Sequence, residues 1–186
     1  LLNFHYQVLE KGQTVGVLSL RAQFTGVLIG GMVCVVLGMW DDRKSLPPVV
    51  KLLTQIIAAY VAMVYGVRMA GLAIPGFGFV TFPLLVSQIV TLFWLLGFMN
   101  AINLTDGLDG LAGGICAIAA GTFLFVALLQ SDTKILLYSK QLKLASVLAA
   151  AVSGACVGFL IFNFNPAKVF MGDGGALFLG FMLGAV

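Results

Sequence analysis

The sequence predicts an all-α fold, a polytopic transmembrane helical bundle, and three observations carry that prediction. Apolar residues make up 61% of the 186-residue chain. Charged residues make up only 9%, against roughly 25% in an ordinary soluble domain. The apolar residues also gather into runs close to the ~20 residues a helix needs to cross ~30 Å of hydrocarbon. A chain so poor in charge cannot cover itself with polar surface, so lipid is the solvent for most of it. A nucleic-acid-binding domain, a disordered tail and a water-soluble dinucleotide-binding enzyme are thereby excluded. The net charge of +3 comes without a basic cluster and points to no polyanionic partner.

Taken in order, residues 1–21 are a mixed polar segment with His5, Glu10, Lys11 and Arg21. The first span covers 22–40 and the second 49–67, separated by WDDRKSLPP at 40–48. Residues 68–81, RMAGLAIPGFGFVT, read as a turn punctuated by glycine and proline, with aromatics suited to a membrane interface. The third span covers 82–99, the fourth 111–130 and the fifth 142–162. NAINLTDGLDG at 100–110 joins the third to the fourth, and SDTKILLYSKQ at 131–141 reads as a polar hairpin before the fifth. After NFNPAKVFMGDGG at 163–175, a sixth run begins at Gly174 and covers ~20 Å before Val186. The expectation is five full spans plus one truncated span in a single integral-membrane domain, 1–186, cut short at both ends. Glycines within the spans, among them Gly26, Gly30, Gly31, Gly121, Gly154 and Gly158, suit close helix packing. Cys34, Cys116 and Cys156 lie in apolar runs without CxxC spacing and read as small buried hydrophobes.

Parity sorts the connections. Two spans separate 40–51 from 100–110, and two more separate 100–110 from 163–175, so these three segments share one membrane face. Five of the seven acidic residues, Asp41, Asp42, Asp106, Asp109 and Asp173, fall on it. Carboxylates gathered at helix ends are costly unless something positive offsets them. The positive-inside rule does not identify the face, because four lysines and arginines lie on it and six on the other.

Adjacent carboxylates such as Asp41 and Asp42 repel unless a cation or proton intervenes. Magnesium suits them, being usually held by one or two carboxylates plus substrate phosphates. Asp106 and Asp109 would share a face if their segment is helical. Asn100 and Asn103 add amide groups beside them. Asp173 sits where the next helix opens, and free backbone N–H groups there would receive phosphate. The sole histidine, His5, lies on the opposite face, which removes Ser/His/Asp and Cys/His mechanisms from this stretch of chain. Metal-assisted phosphoryl transfer is the reaction class that carboxylates, a metal and a few lysines fit best.

These motifs bear a family resemblance. Trp40-Asp41-Asp42-Arg43, followed by Lys51 and Gln55, resembles the first aspartate motif of the polyprenyl-phosphate N-acetylhexosamine-1-phosphate transferases. NAINLTDGLDGLAGG at 100–114 is similar to the second motif, and NFNPAKVFMGD at 163–173 to the third. NFNPAK and the compact DDR segment resemble the WecA/TagO branch more than the MraY branch. The resemblance implies a Mg2+- or Mn2+-dependent enzyme of the bacterial inner membrane with cytoplasmic acidic loops. It would transfer a HexNAc 1-phosphate, usually GlcNAc 1-phosphate, from a UDP-N-acetylhexosamine to a polyprenyl phosphate such as undecaprenyl phosphate, releasing UMP. By position it makes Asp173 and Asn103 metal-site residues, and it places Asn163, Phe170, Asp106 and Asp109 on the nucleotide side, with Lys168 in the substrate-binding set. Lys51 falls near the diphosphate, and Asp41 and Asp42 near the acceptor phosphate, as base or as nucleophile. Gly174-Gly175-Ala176 replaces the usual Thr-Gly-Ser type of sequence after MGD. Alternatives are a phospho-MurNAc-pentapeptide transferase and, in another class, an ion- or proton-coupled transporter, although the latter would want acids in mid-span. Membrane lipid is the surrounding partner, nucleic acid is not one, and a homodimer is left open.

Overall fold

A computed structural model describes residues 4–8, 14–130 and 136–186. The elements are β1 (Phe4–Val8), β2 (Thr14–Leu18), α1 (Leu20–Lys44), α2 (Pro48–Val64), β3 (Gly71–Ile74), β4 (Gly78–Thr81), α3 (Leu84–Thr105), α4 (Leu111–Leu129), α5 (Leu136–Asn163) and α6 (Gly172–Ala185). The helical bundle is as expected, but four helices, not five, are long and apolar enough to cross a membrane among the described residues: Leu20–Lys44, Leu84–Thr105, Leu111–Leu129 and Gln141–Asn163. The expected second span is the 17-residue α2, ~25 Å long. It stops early because Gly66, at φ 93°, closes it. Val67 N–H donates to Ala62 O and Gly66 N–H to Met63 O, both at 3.0 Å, the paired bonds of a glycine-terminated helix.

Two short antiparallel hairpins accompany the helical bundle, β1–β2 within the segment read as mixed polar and β3–β4 within the one read as a turn. In the second, Pro75 and Gly76 occupy the tip, Gly76 with φ 85°, and Phe77 N–H donates to Ile74 O at 3.1 Å. Proline followed by a positive-φ glycine is the pairing a type II turn requires, and the flanking Ile, Phe and Val suit strands. Glu10 and Lys11 lie outside the described residues, as does 131–135 of the expected polar hairpin. Residues 136–141 belong to α5.

The core centres on α6. Ala176, Leu177, Leu179, Phe181, Met182 and Leu183 are all buried, between α1 on one side and α3 on the other. Small residues permit this. A Cβ on Gly38 of α1 would fall on the backbone of Gly174, and one on Gly180 would lie 2.6 Å from Met99 Cα of α3. Such contacts between backbones are how transmembrane helices associate when lipid is as apolar as the side chains. α4 packs on α5, where Ser153 Oγ donates to Ala117 O at 3.2 Å. All three cysteines are buried and free. The outward faces stay apolar, with Met32, Phe93, Ile118 and Ile161 exposed.

Candidate active site

Both helices that feed the site run further than expected. α1 continues to Lys44, so Asp41 and Asp42 occupy its last turn, and Ser45 ends it in the left-handed region at φ 39°. α3 continues to Thr105, so Asn100 and Asn103 stand on helix and not on a loop. The condition that would have put Asp106 and Asp109 on one helical face is not met, because the chain turns from Asp106 to Gly110 (φ 74°) before α4 begins.

The three acidic segments meet at one end of the bundle. Asp41 is buried, and Lys51 Nζ pairs with its Oδ2. Leu46 N–H donates to the other oxygen, Oδ1, at 2.6 Å. Lys51 also donates to Asp173 Oδ2 at 3.0 Å, and Asn103 Nδ2 donates to Asp173 Oδ1 at 2.9 Å. One of the expected free N–H groups at the start of α6 is taken. Asp173 N–H donates to Asp42 Oδ1 at 2.9 Å, a carboxylate at a helix N-terminus where the dipole favours one. Gly172 makes room for it, since it has φ 66° and a Cβ there would lie 2.8 Å from Asp42 Oδ2. The approach of Gly38, one turn before Asp41 and Asp42 on α1, to Gly174, the residue after Asp173 on α6, is what brings these acids together.

A cleft of about 240 Å³ opens beside this group, lined by Asp42, Asp106, Asp109, Asn163, Phe170 and Asp173 with intervening backbone. Burial pushes the Asp106 carboxyl above its ordinary value, and the facing Asp173 and Asp42 push it further the same way. Two expected substrate-side residues have local tasks. Asn163, 4% exposed, accepts from Gly110 N–H at 3.0 Å and donates to Val169 O at 2.9 Å. Asp109 Oδ2 accepts from Asn165 Nδ2 at 3.1 Å and Ala167 N–H at 3.0 Å. Together they tie the turn after α3 to the turn after α5, in which Asn165–Pro166 is cis. Phe170 is exposed at the rim. Lys168 is not brought into the lining; its N–H closes the turn on Phe162 O at 2.8 Å.

The sequence reading set Asn100 beside the acids and named Gln55 only within the first motif, without pairing the two. Asn100 Nδ2 donates to Gln55 Oε1 at 2.8 Å, and Gln55 Nε2 donates to Asn100 Oδ1 at 3.4 Å. The available signal was a glutamine within an apolar span, four residues after a lysine, since uncharged amides there seek partners on neighbouring helices.

The profile described as glycosyl transferase family 4 matches residues 24–186. A protein of Bacillus subtilis (strain 168) named "Probable undecaprenyl-phosphate N-acetylglucosaminyl 1-phosphate transferase" is 36% identical over 182 residues, 92% of this chain and 46% of its own length. A phospho-N-acetylmuramoyl-pentapeptide-transferase of Limosilactobacillus fermentum is 38% identical over 162 residues, 81% of this chain and 46% of the relative. A decaprenyl-phosphate N-acetylglucosaminephosphotransferase of Mycobacterium tuberculosis (strain ATCC 25618 / H37Rv) is 40% identical over 163 residues, 86% and 39% respectively. The chain thus spans less than half the length of these relatives.

Proposed function

Because the chain belongs to glycosyl transferase family 4, we propose that it forms part of a membrane enzyme moving GlcNAc 1-phosphate from UDP-GlcNAc to a polyprenyl phosphate such as undecaprenyl phosphate. The new bond joins an acceptor phosphate oxygen to the sugar-linked phosphorus. The bond from that phosphorus to the bridging oxygen breaks, and UMP leaves with the electron pair. The observation that supports this most is the cleft itself, with four carboxylates around about 240 Å³ and one lysine tied to two aspartates beside it. An excess of negative charge in a site for anionic substrates calls for a cation.

Magnesium or manganese fits the donor set. Asp173 already accepts from a cation, Lys51, and from the neutral Asn103. Among the described residues no three His, Cys, Asp or Glu side chains form a ready metal cage, so the ion would be shared between Asp173, Asn103 and substrate phosphates, as is usual for magnesium. When bound, it neutralises the donor diphosphate and the departing phosphate. Lys51 then faces the charge that develops on the transferring phosphoryl group. Asp41, buried and paired, orients Lys51, and Asp42, at the cleft wall, orients the acceptor phosphate or takes its last proton. Asp106 and Phe170 line the nucleotide side, Asn163 and Asp109 shape it, and Lys168 meets substrate only if its turn rearranges. The acidic end faces the cytoplasm of a bacterial cell, where UDP-sugars are made, and the helices lie in the inner membrane.

The pentapeptide-transferase relative supports a second reading, with UDP-MurNAc-pentapeptide as donor. Membranes carrying the complete gene product, given undecaprenyl phosphate, magnesium and either donor, distinguish the two by UMP release. Release with UDP-GlcNAc alone is the expected result. Release with the pentapeptide donor alone would transfer the assignment to the second reading, and release with neither would remove both.

A further inference from the structure

We propose that the Gln55–Asn100 amide pair is a positioning device that sets the register of α2 against α3 and thereby aims Lys51 and Asn103 at the two oxygens of Asp173; this rests on the functional reading above. Gln55 lies four residues beyond Lys51 on α2, and Asn100 lies three residues before Asn103 on α3. Both intervals are about one helical turn, so each amide sits below the polar group it would aim, on the same side of its helix. Gln55 is 3% exposed. A buried amide that loses its partner bears the full desolvation penalty, so Gln55, facing the exposed Asn100, has a strong preference for the mated geometry.

That geometry is directional. Asn100 Nδ2 serves Gln55 Oε1 with one proton and Leu96 O, in its own helix, with the other, each at 2.8 Å. The asparagine amide is therefore fixed to α3 before it reaches α2. The return bond from Gln55 is long, at 3.4 Å, so little slack remains in that direction. Sliding α2 by one residue, ~1.5 Å, would stretch the 2.8 Å bond lying across the helix axis to about 3.2 Å and break the return bond, already 3.4 Å long, at about 3.7 Å. The same slide would carry Lys51 away from Asp173, now 3.0 Å distant, while Asn103 stayed with α3. Lys51 and Asn103 come from different helices and converge on one carboxylate, so their mutual placement depends on that register. A misplacement of ~1 Å in such a constellation can cost about 10²-fold in rate.

The test uses the complete protein in detergent or nanodiscs, with Gln55→Ala, Gln55→Met, the double variant Gln55→Ala with Asn100→Ala, and the exchanged pair Gln55→Asn with Asn100→Gln. Two quantities are read: the magnesium midpoint of the thermal shift without substrate, and turnover with its own magnesium midpoint. Gln55→Ala should raise both midpoints several-fold and lower kcat by about 10–10²-fold, with a smaller change in KM for the UDP-sugar. The double variant should be no worse, and the exchanged pair, with the same combined reach, should return both midpoints to near the wild-type value. A purely stabilising pair would instead lower the melting temperature and leave the midpoints of the folded protein in place, which would overturn the proposal. So would an exchanged pair that melts like wild type yet keeps the raised midpoints. Gln55→Met keeps the volume without the amide and replaces Gln55→Ala if the latter does not fold. If wild type releases no UMP from any donor, the functional reading fails, and the substrate-free midpoints still decide the role of the pair.

Discussion

At the scale of single residues, Asp173 is the meeting point, since its side chain accepts from Lys51 and Asn103 while its N–H serves Asp42. Asp173→Asn keeps the shape and removes the charge. Lys51 retains Asp41 as its partner, so the fold should survive while turnover falls by about 10²–10³-fold, the scale for losing one preorganised electrostatic group. Folded yield by size exclusion and UMP release check the two halves, and near-normal turnover at limiting magnesium would refute the ligand role. Asp106 gives a prediction in pH. Burial and the facing Asp173 and Asp42 raise its folded value above the unfolded one. Between those two values the folded state binds the proton better, so stability falls as pH rises through that window. Asp106→Asn should therefore melt above wild type at pH 7 without divalent cations, and the gap should close below pH ~3.9, the ordinary value for aspartate. A variant that melts no higher at pH 7 would contradict this. Sequence spacing brought these acids to one end of the bundle, yet it could not show that Asn163 and Asp109 spend their polar atoms on neighbouring turns, because those partners are backbone groups and a cis-proline segment whose paths no spacing rule supplies.

At the scale of elements, the approach of α1 to α6 decides whether a site exists. Gly38→Ala places a methyl group on the backbone of Gly174, and neither helix has a flexible side chain to yield there. Overpacking of this kind costs roughly 1–3 kcal/mol, and here it also separates Asp41 and Asp42 from Asp173. Gly97→Ala in α3 is the control. Nothing lies within 4 Å of its Cβ, and alanine gains about 0.5–1 kcal/mol over glycine in a helix. Thermal unfolding in detergent should lower the first variant and leave the second level or higher, with turnover lost only in the first; equal behaviour would mean that the contact is not rigid. The helices were legible as apolar runs because hydropathy reports burial in lipid. Their ends were less so, since polar residues such as Asp41, Asp42, Asn100 and Asn103 look like loop while continuing a helix by a turn. The hairpin at 71–81 was hidden for the opposite reason, its glycines and proline masking strand residues between them.

For the whole molecule, two reaction courses are distinguishable: the acceptor attacks directly, or an aspartate attacks first. Asp41 is buried and engaged by both Lys51 and Leu46 N–H, which leaves it poorly placed as a nucleophile. Asp42 is exposed, but one of its oxygens holds the start of α6. Direct attack is the expected course, so incubation with UDP-sugar and magnesium, without polyprenyl phosphate, should release no UMP above background. Stoichiometric release with sugar phosphate trapped on Asp41 or Asp42 would show the covalent course. The central position of α6 has a further consequence, for biogenesis. It is the last of the helices described, yet it is the one around which α1 and α3 close. Insertion proceeds from the N-terminus, so the earlier helices must wait in the bilayer with an empty slot between them. Lys51 can meet Asp41 during that interval, but Asp42 has no helix to cap and Asn103 no carboxylate to hold. The contacts that converge on Asp173 are therefore completed late, when α6 arrives and is drawn inward from the lipid.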